Sequence, residues 1–210
     1  NGTLNGNAQW VQGQIGGALQ FNGTNAFVRA PHIPLNSQTF TITMWVNPIL
    51  YTSEQVVFSQ TQSRSTNLSI HFRIYGPNSG RIRMGFYSND LDTTGNTIVQ
   101  NNWYHIAFWY DFKNQIRRIY VNGAQAAQGA ATPFLGTSGD TVIGSWDGTG
   151  QWFSGLIDDV RIYKRVLTVE EIQQVMIGIP PGVATDPNPA DEEIDVPRDV
   201  VLSWTPGDFA

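Results

Sequence analysis

Cysteine is absent from the 210 residues of this chain. Its absence excludes disulfides, thiolate metal sites and cysteine nucleophiles. No apolar run approaches the roughly 18 residues that a transmembrane helix needs, so we do not expect membrane insertion. The chain also starts without a charged segment followed by an apolar one. We therefore expect that any signal peptide was removed or lay outside this sequence.

Charge is scarce and unevenly placed. Only 14% of the residues are charged, with 12 bases and 17 acids. Residues 183–210 contain seven acids and one base, whereas residues 1–182 contain ten acids and eleven bases and are close to neutral. A near-neutral body lacks the positive potential that holds a phosphate backbone, so nucleic acid is not a predicted partner.

Short segments with alternating apolar residues make up most of the chain, separated by clusters of Gly, Asn and Pro. Between residues 40 and 46 every second residue is apolar, namely Phe40, Ile42, Met44 and Val46. This period of two is typical of strands in an antiparallel sandwich. The segments that we predict as strands are 18–22, 26–30, 39–47, 55–60, 67–74, 81–87, 103–110, 115–121, 124–128, 140–144 and 154–163.

Two local signals indicate a hairpin and a helix. Asn122-Gly123 lies between two strand-like runs and predicts a type I′ turn, whose two central residues need positive φ. Thr168 followed by Glu171 predicts a capping box at the start of a helix over residues 168–176. The apolar side chains expected to pack this helix onto the sheet are Ile172, Val175 and Met176.

Six sequence motifs resemble, in order and spacing, those of the laminin-G-like family. They are GGALQFNG (16–23), FTITMWVNP (40–48), WYHIAFWYD (103–111), RIYVNGAQAA (118–127), TVIGS (141–145) and FSGLIDDVRIYKRVLTVEEI (153–172). The resemblance spans residues 16–177. It implies an all-β fold of the concanavalin A-like lectin-glucanase type, a jelly-roll sandwich of two antiparallel sheets with one short C-terminal helix.

The sequence predicts a domain boundary after this region. We assign residues 1–179 to the jelly roll and the Pro-Pro-Gly run at 180–182 to a linker. Residues 183–210 resemble the first two strands of a fibronectin type III-like or bacterial Ig-like module, with Trp204 as its core tryptophan. Such a piece is too short to close a sandwich. We therefore expect covalently linked neighbouring domains in a longer polypeptide.

The family resemblance also implies a structural Ca²⁺ between the turn after the first strand and an aspartate of the last strand. The corresponding oxygen donors here are Asn22, the Gly23 carbonyl, Asn25 and Asp158. Calcium accepts such hard oxygen ligands, although two amides in place of carboxylates lower the charge of the site. The alternative is that Asn22-Gly23 makes a tight turn and Asp158 caps its backbone.

A polar loop between two tryptophans suggests a ligand site. Trp146 and Trp152 flank residues 147–151, a segment too polar and glycine-rich for a core. Indole rings stack on the C–H faces of sugars, and Asp147 and Gln151 could bond the hydroxyls. We predict these four residues as the ligand-binding loop. The alternative is that the tryptophans only pack, for which Trp152 has the better structural reason.

The preferred interpretation is a non-catalytic, extracellular, lectin-like module of a larger bacterial secreted or surface protein. Its expected partner is a glycan or cell-surface polysaccharide, or a protein. The alternative is a structural or adhesive protein-interaction spacer that binds no sugar. An enzyme is disfavoured because residues 1–182 lack the Glu-x-Asp-x-x-Glu strand of related glucanases. Moreover, Asp158 and Asp159 are adjacent on a strand and therefore face opposite sides.

Overall fold

The computed structural model of the chain describes residues 2–49, 54–75, 79–179, 185–188 and 203–205, the last two ranges by their backbone only. The strands of the first half are β1 Thr3–Asn5, β2 Gln9–Gln12, β3 Gly17–Asn22, β4 Phe27–Ala30, β5 Phe40–Pro48, β6 Gln55–Thr61, β7 Ser69–Ile74, β8 Ile82–Gly85 and β9 Asp90–Asp92. The remaining elements are β10 Tyr104–Asp111, β11 Ile116–Val121, β12 Ala124–Ala130, β13 Thr141–Ile143, β14 Ser154–Tyr163, α1 Val169–Met176, β15 Thr185–Asn188 and β16 Ser203–Thr205.

Two antiparallel sheets of seven strands each form the body. Sheet one has the order β1-β4-β13-β6-β7-β8-β9, and sheet two has the order β12-β11-β10-β5-β14-β3-β2. This architecture confirms the predicted all-β sandwich with one short helix. All eleven predicted strands are present. The three that were not predicted (β1, β2 and β9) are edge strands of three or four residues without a buried residue, so their sequences show little apolar alternation.

The core lies between the two sheets. Phe40, Ile42, Met44 and Val46 are fully buried in it, as their alternation predicts. The opposite face of β5 carries Trp45, whose indole Nε1 donates to the Met176 carbonyl over 3.2 Å. One strand therefore contributes both to the core and to the attachment of the helical segment.

The helix α1 covers the outer face of sheet two. Its capping box is confirmed, because Thr168 Oγ1 accepts the Glu171 N–H over 3.2 Å and a Glu171 carboxylate oxygen accepts the Thr168 N–H over 2.7 Å. Ile172 and Val175 are buried against the sheet, and Met176 is half-buried. Among the described residues, no helix has the length and apolar character needed to cross a membrane.

The Asn122-Gly123 hairpin is also confirmed, with φ values of 49° and 77° at its two central residues.

Near the C-terminus, β15 and β16 pair with each other in an antiparallel manner. The predicted linker 180–182 and most of the predicted second module, including the side chain of Trp204, lie outside the described residues.

Candidate functional site

The loop after β13 folds back over the outer face of sheet one. Ser59 on β6 anchors it, since its Oγ donates to the Ser145 carbonyl over 2.9 Å and accepts the Asp147 N–H over 3.1 Å. The loop closes on itself through the Trp146 N–H, which donates to the Gly150 carbonyl over 2.9 Å. Asp147 has a φ of 45°, a left-handed conformation in which the chain reverses direction.

Trp146 lies flat against the outer face of β7 and is only 5% exposed. Its ring stacks on His71 with the centroids 4.9 Å apart and an angle of 21° between the planes. The Arg73 guanidinium lies 4.4 Å from the indole centroid, and that of Arg64 lies 5.4 Å from it. Cations at these distances are attracted by the electron-rich ring face. Trp146 therefore belongs to a packed aromatic and cationic layer on sheet one.

His71 supports this layer as a neutral ring. Arg73 Nε lies 2.9 Å from His71 Nδ1 and the Tyr87 N–H lies 3.1 Å from His71 Nε2, and a neutral ring accepts a hydrogen bond at only one of these two nitrogens. Both ring nitrogens thus face N–H groups, an arrangement that disfavours the doubly protonated ring. Burial, followed by the positive charges of Arg73 and Arg83, lowers the pKa of His71 to about 2.

A groove of about 400 Å³ opens beside Trp146. The residues that line it come from four separate segments and are Arg64, Arg73, Tyr87, Trp146, Thr149, Gly150 and Gln151. At one wall, Gln151 Nε2 donates to a Glu54 carboxylate oxygen over 3.1 Å, and the same carboxylate forms an ion pair with Arg73. The wall residues are therefore held in place by one another.

Two buried polar atoms at the groove have no partner among the described residues. They are the indole Nε1 of Trp146, a donor, and Oε1 of Gln151, an acceptor. A buried polar group without a hydrogen bond costs free energy, so such atoms are expected to bond water or a ligand. Aromatic rings combined with a few convergent donors and acceptors suit a ligand that has both apolar and hydroxyl-bearing faces.

The structure brings together two of the four predicted ligand residues. Trp146 and Gln151 line the groove, whereas the Asp147 carboxylate accepts the Thr149 hydroxyl within the loop itself. Trp152 packs on Phe27 of β4, with the ring centroids 5.8 Å apart. Two strands (β13 and β6) separate β4 from β7, which places the surfaces under the two tryptophans about 14 Å apart. The prediction that the indoles of Trp146 and Trp152 flank one contact surface is therefore wrong.

The sequence interpretation missed Arg64, Arg73, Tyr87 and Thr149 as groove residues. One available signal was the alternation of β7, in which Ser69, His71 and Arg73 occupy the face opposite the core residues. A polar outer face is usual for a strand of an antiparallel sheet, so this signal was weak. Nothing in the local sequence connects β7 with the loop of Trp146.

The predicted calcium ligands fall into two separate places. Asn22 Oδ1 accepts the backbone N–H groups of residues 24–26 at 3.0–3.1 Å, and its Nδ2 donates to Asn25 Oδ1 over 2.8 Å. Asn22 pairs with Ser154 across the β3–β14 ladder, so Asp158 lies four residues, or about 13 Å, further along β14. Asp158 is buried and accepts the Ile15 N–H over 2.8 Å. These residues do not fit a single calcium ion.

Comparison with known proteins decides the family. A laminin G-type family model, described as the concanavalin A-like lectin/glucanases superfamily, matches residues 22–173. The chain belongs to this superfamily. The match lies within the region 16–177, whose motifs resemble the laminin-G-like family, and does not extend to residues 183–210. No curated protein has a sequence similar enough to count as a match.

Solved structures share the fold of this superfamily member. Domain 4 of AbnA, an extracellular arabinanase from Geobacillus stearothermophilus solved in complex with arabinotriose, has a TM-score of 0.68 at 24% identity, covering 83% of this chain and 87% of that one. The heptameric SAP-like pentraxin of Limulus polyphemus has a TM-score of 0.60 at 19% identity, with 75% and 80% covered. A putative carbohydrate binding protein from Bacteroides ovatus has a TM-score of 0.58 at 20% identity, with 75% and 46% covered.

Chelation tests whether this superfamily member needs calcium. Because Asn22 and Asp158 are far apart and bond backbone N–H groups, we expect the same melting temperature in EDTA and in millimolar Ca²⁺. A ligand that binds only the folded state must raise the melting temperature. A clearly lower melting temperature in EDTA would show that the protein binds calcium. The predicted ligands would then have to be tested by single substitutions. Mg²⁺ in place of Ca²⁺ is the matched control.

Proposed function

We propose that this chain is a carbohydrate-binding module that holds a glycan in the groove beside Trp146. The observation that carries the proposal is the pair of unpartnered buried atoms, Trp146 Nε1 and Gln151 Oε1, at a groove with aromatic walls. A sugar hydroxyl can accept a hydrogen bond from the first and donate one to the second. The exposed Arg64 at the rim adds further donors.

The similar structures support this proposal. One is a domain solved with arabinotriose, and another is described as a putative carbohydrate binding protein. Both have the fold of this chain, and neither is similar enough in sequence to assign its ligand here. The sugar must therefore be found by screening.

The groove binds its glycan without cleaving it. Glycoside hydrolysis needs two carboxyl groups on either side of the scissile bond. The described residues that line the groove include no carboxylate, and the neighbouring Glu54 is paired with Arg73. On β9, Asp90 and Asp92 both form ion pairs with Arg83.

In the proposed setting, the module tethers a larger bacterial secreted or surface protein to a polysaccharide. A fibronectin type III-like or Ig-like unit would follow it, starting with the antiparallel pair β15–β16. The arabinanase whose domain shares this fold is extracellular, which supports this setting.

Binding to a panel of plant and bacterial polysaccharides tests the proposal. Trp146→Phe keeps a packed ring but removes the Nε1 donor, so we expect a fivefold to tenfold loss of affinity for the glycan identified, as for about one lost hydrogen bond. Trp152→Phe is the matched control and should bind like the wild type, because Trp152 packs on Phe27 away from the groove.

Isothermal titration calorimetry would measure both variants. If Trp146→Phe bound the glycan with the affinity of the wild type, the groove beside Trp146 would not be the binding site. Failure of the wild type to bind any glycan of the panel would favour the alternative of a structural or adhesive spacer.

A further inference from the structure

The tip of the β8–β9 hairpin has an unfavourable sequence for its conformation. Its two residues, Tyr87 and Ser88, have φ values of 62° and 52°. Two successive positive φ angles are the requirement of a type I′ turn, for which Asn and Gly are strongly preferred. The same chain uses that preferred pair at Asn122-Gly123. Bulky residues in the left-handed region are strained.

Packing in the core does not account for Tyr87 at this position. The preceding Phe86 is fully buried in the core, whereas Tyr87 is only half-buried and lines the groove. Its ring stands at nearly right angles to two others, with angles of 89° to His71 and 85° to Trp146 and centroid distances of 6.1 Å to each. Tyr87 therefore forms an aromatic corner with the stacked pair of Trp146 and His71.

The backbone of Tyr87 has a neighbour on each side. Its carbonyl accepts the Asn67 N–H over 3.2 Å, and its N–H faces the edge of the buried His71 ring, 3.1 Å from Nε2. These contacts hold the strained residue in place and fix the direction from which its ring enters the groove. Left-handed conformations of this kind persist only where the surrounding structure determines them.

We propose that Tyr87 is the stacking platform of the groove, on which one sugar ring lies with its apolar C–H face. Trp146 is 5% exposed, so too little of its indole is accessible to play this part. The unpartnered donor Nε1 of Trp146 and acceptor Oε1 of Gln151 are buried beside the groove, and hydroxyls of the sugar that Tyr87 supports would bond them after a small movement of these side chains. This inference rests on the proposed function and names the residue that recognises the sugar ring. It predicts a preference for sugars that have an uninterrupted C–H face.

Three variants test this role against the glycan identified in the screen. Tyr87→Phe keeps the ring, and we expect its affinity to stay within about threefold of the wild type. Tyr87→Asn removes the ring but suits the turn, so we expect at least a tenfold loss of affinity with a melting temperature within about 4 °C of the wild type. Ser88→Gly is the matched control, because it relieves the same turn without changing the groove. Its melting temperature should rise by about 2–4 °C, with wild-type affinity.

Wild-type affinity of Tyr87→Asn would overturn the inference while leaving the proposed function intact. Binding of no glycan by the wild type would instead remove the proposed function itself. NMR of tyrosine-labelled protein provides a readout that does not depend on the stability of Tyr87→Asn. The ring signals of Tyr87, identified by their absence in Tyr87→Phe, should shift on saturation with the glycan. Unchanged signals at saturation would contradict stacking.

Discussion

Lowering the pH from 7 to 4.5 is expected to remove several kcal/mol from the free energy of unfolding, because two histidines are buried as neutral rings. Burial lowers the pKa of His71 to about 2, helped by Arg73 and Arg83. Burial and the nearby Arg161 lower the pKa of His105 to about 4. In the unfolded chain both histidines bind a proton below about pH 6.5.

The direction of the effect follows from these values. Below about pH 6.5 the unfolded chain takes up two protons that the folded protein does not bind, so stability falls as the pH falls. Each histidine contributes roughly 1 kcal/mol per pH unit, which amounts to about 3–5 kcal/mol between pH 6.5 and pH 4.5. Burial also raises the pKa of Asp90, which opposes part of this loss at the acidic end.

Denaturant titrations at pH 7, 5.5 and 4.5 would measure the effect. His105 makes a ring contact with Trp45, with centroids 5.5 Å apart, and neither of its ring nitrogens has a partner among the described residues. His105→Phe should therefore fold and lose about half of the pH dependence. Trp10→Ala, which changes an exposed side chain that does not titrate, is the control and should keep the wild-type slope. A free energy of unfolding that stays constant from pH 7 to 4.5 would refute the neutral burial of both rings.

Replacing Trp146 by alanine is expected to destabilise the protein by about 3–5 kcal/mol, the range for a large aromatic side chain deleted from a packed site. The indole is 95% buried, stacks on His71 and lies beneath the Arg73 guanidinium. The substitution would leave a cavity on sheet one and would remove the aromatic partner of a buried cation. The free energy of unfolding that is lost in Trp146→Ala should therefore be larger than the binding free energy lost with a single sugar contact.

Thermal and denaturant unfolding would show this difference directly. Trp10→Ala is the matched control, because Trp10 is 67% exposed and its loss should cost no more than about 1 kcal/mol. A Trp146→Ala protein as stable as the wild type would mean that the indole is not packed as described. The expected loss also explains why phenylalanine, not alanine, is the suitable substitution at this position for measuring sugar binding.

The prediction for Trp146 shows where the sequence was informative and where it was not. Its loop was singled out because a polar glycine-rich segment between two tryptophans is unusual, and the structure places Trp146 and Gln151 of this loop at the groove, whereas ligand binding there stays a prediction. The expectation that Trp152 has the better structural reason of the two was wrong, because Trp146 is 5% exposed and stacks on His71, which is 75 residues earlier in the chain. For Trp152 the alternative interpretation, that the ring only packs, agrees with the structure, since this ring packs on Phe27.

The sequence by itself determined the parts of this protein that depend on neighbouring residues. Alternation placed the long strands, Asn122-Gly123 determined a hairpin, and Thr168 with Glu171 determined the start of the helix, since each depends on local backbone angles or on contacts within a few residues. Only the tertiary structure decided the site. Strand order and register bring Arg64, Tyr87 and Gln151 around one groove and keep Asn22 and Asp158 apart, and no local pattern encodes which distant strands become neighbours.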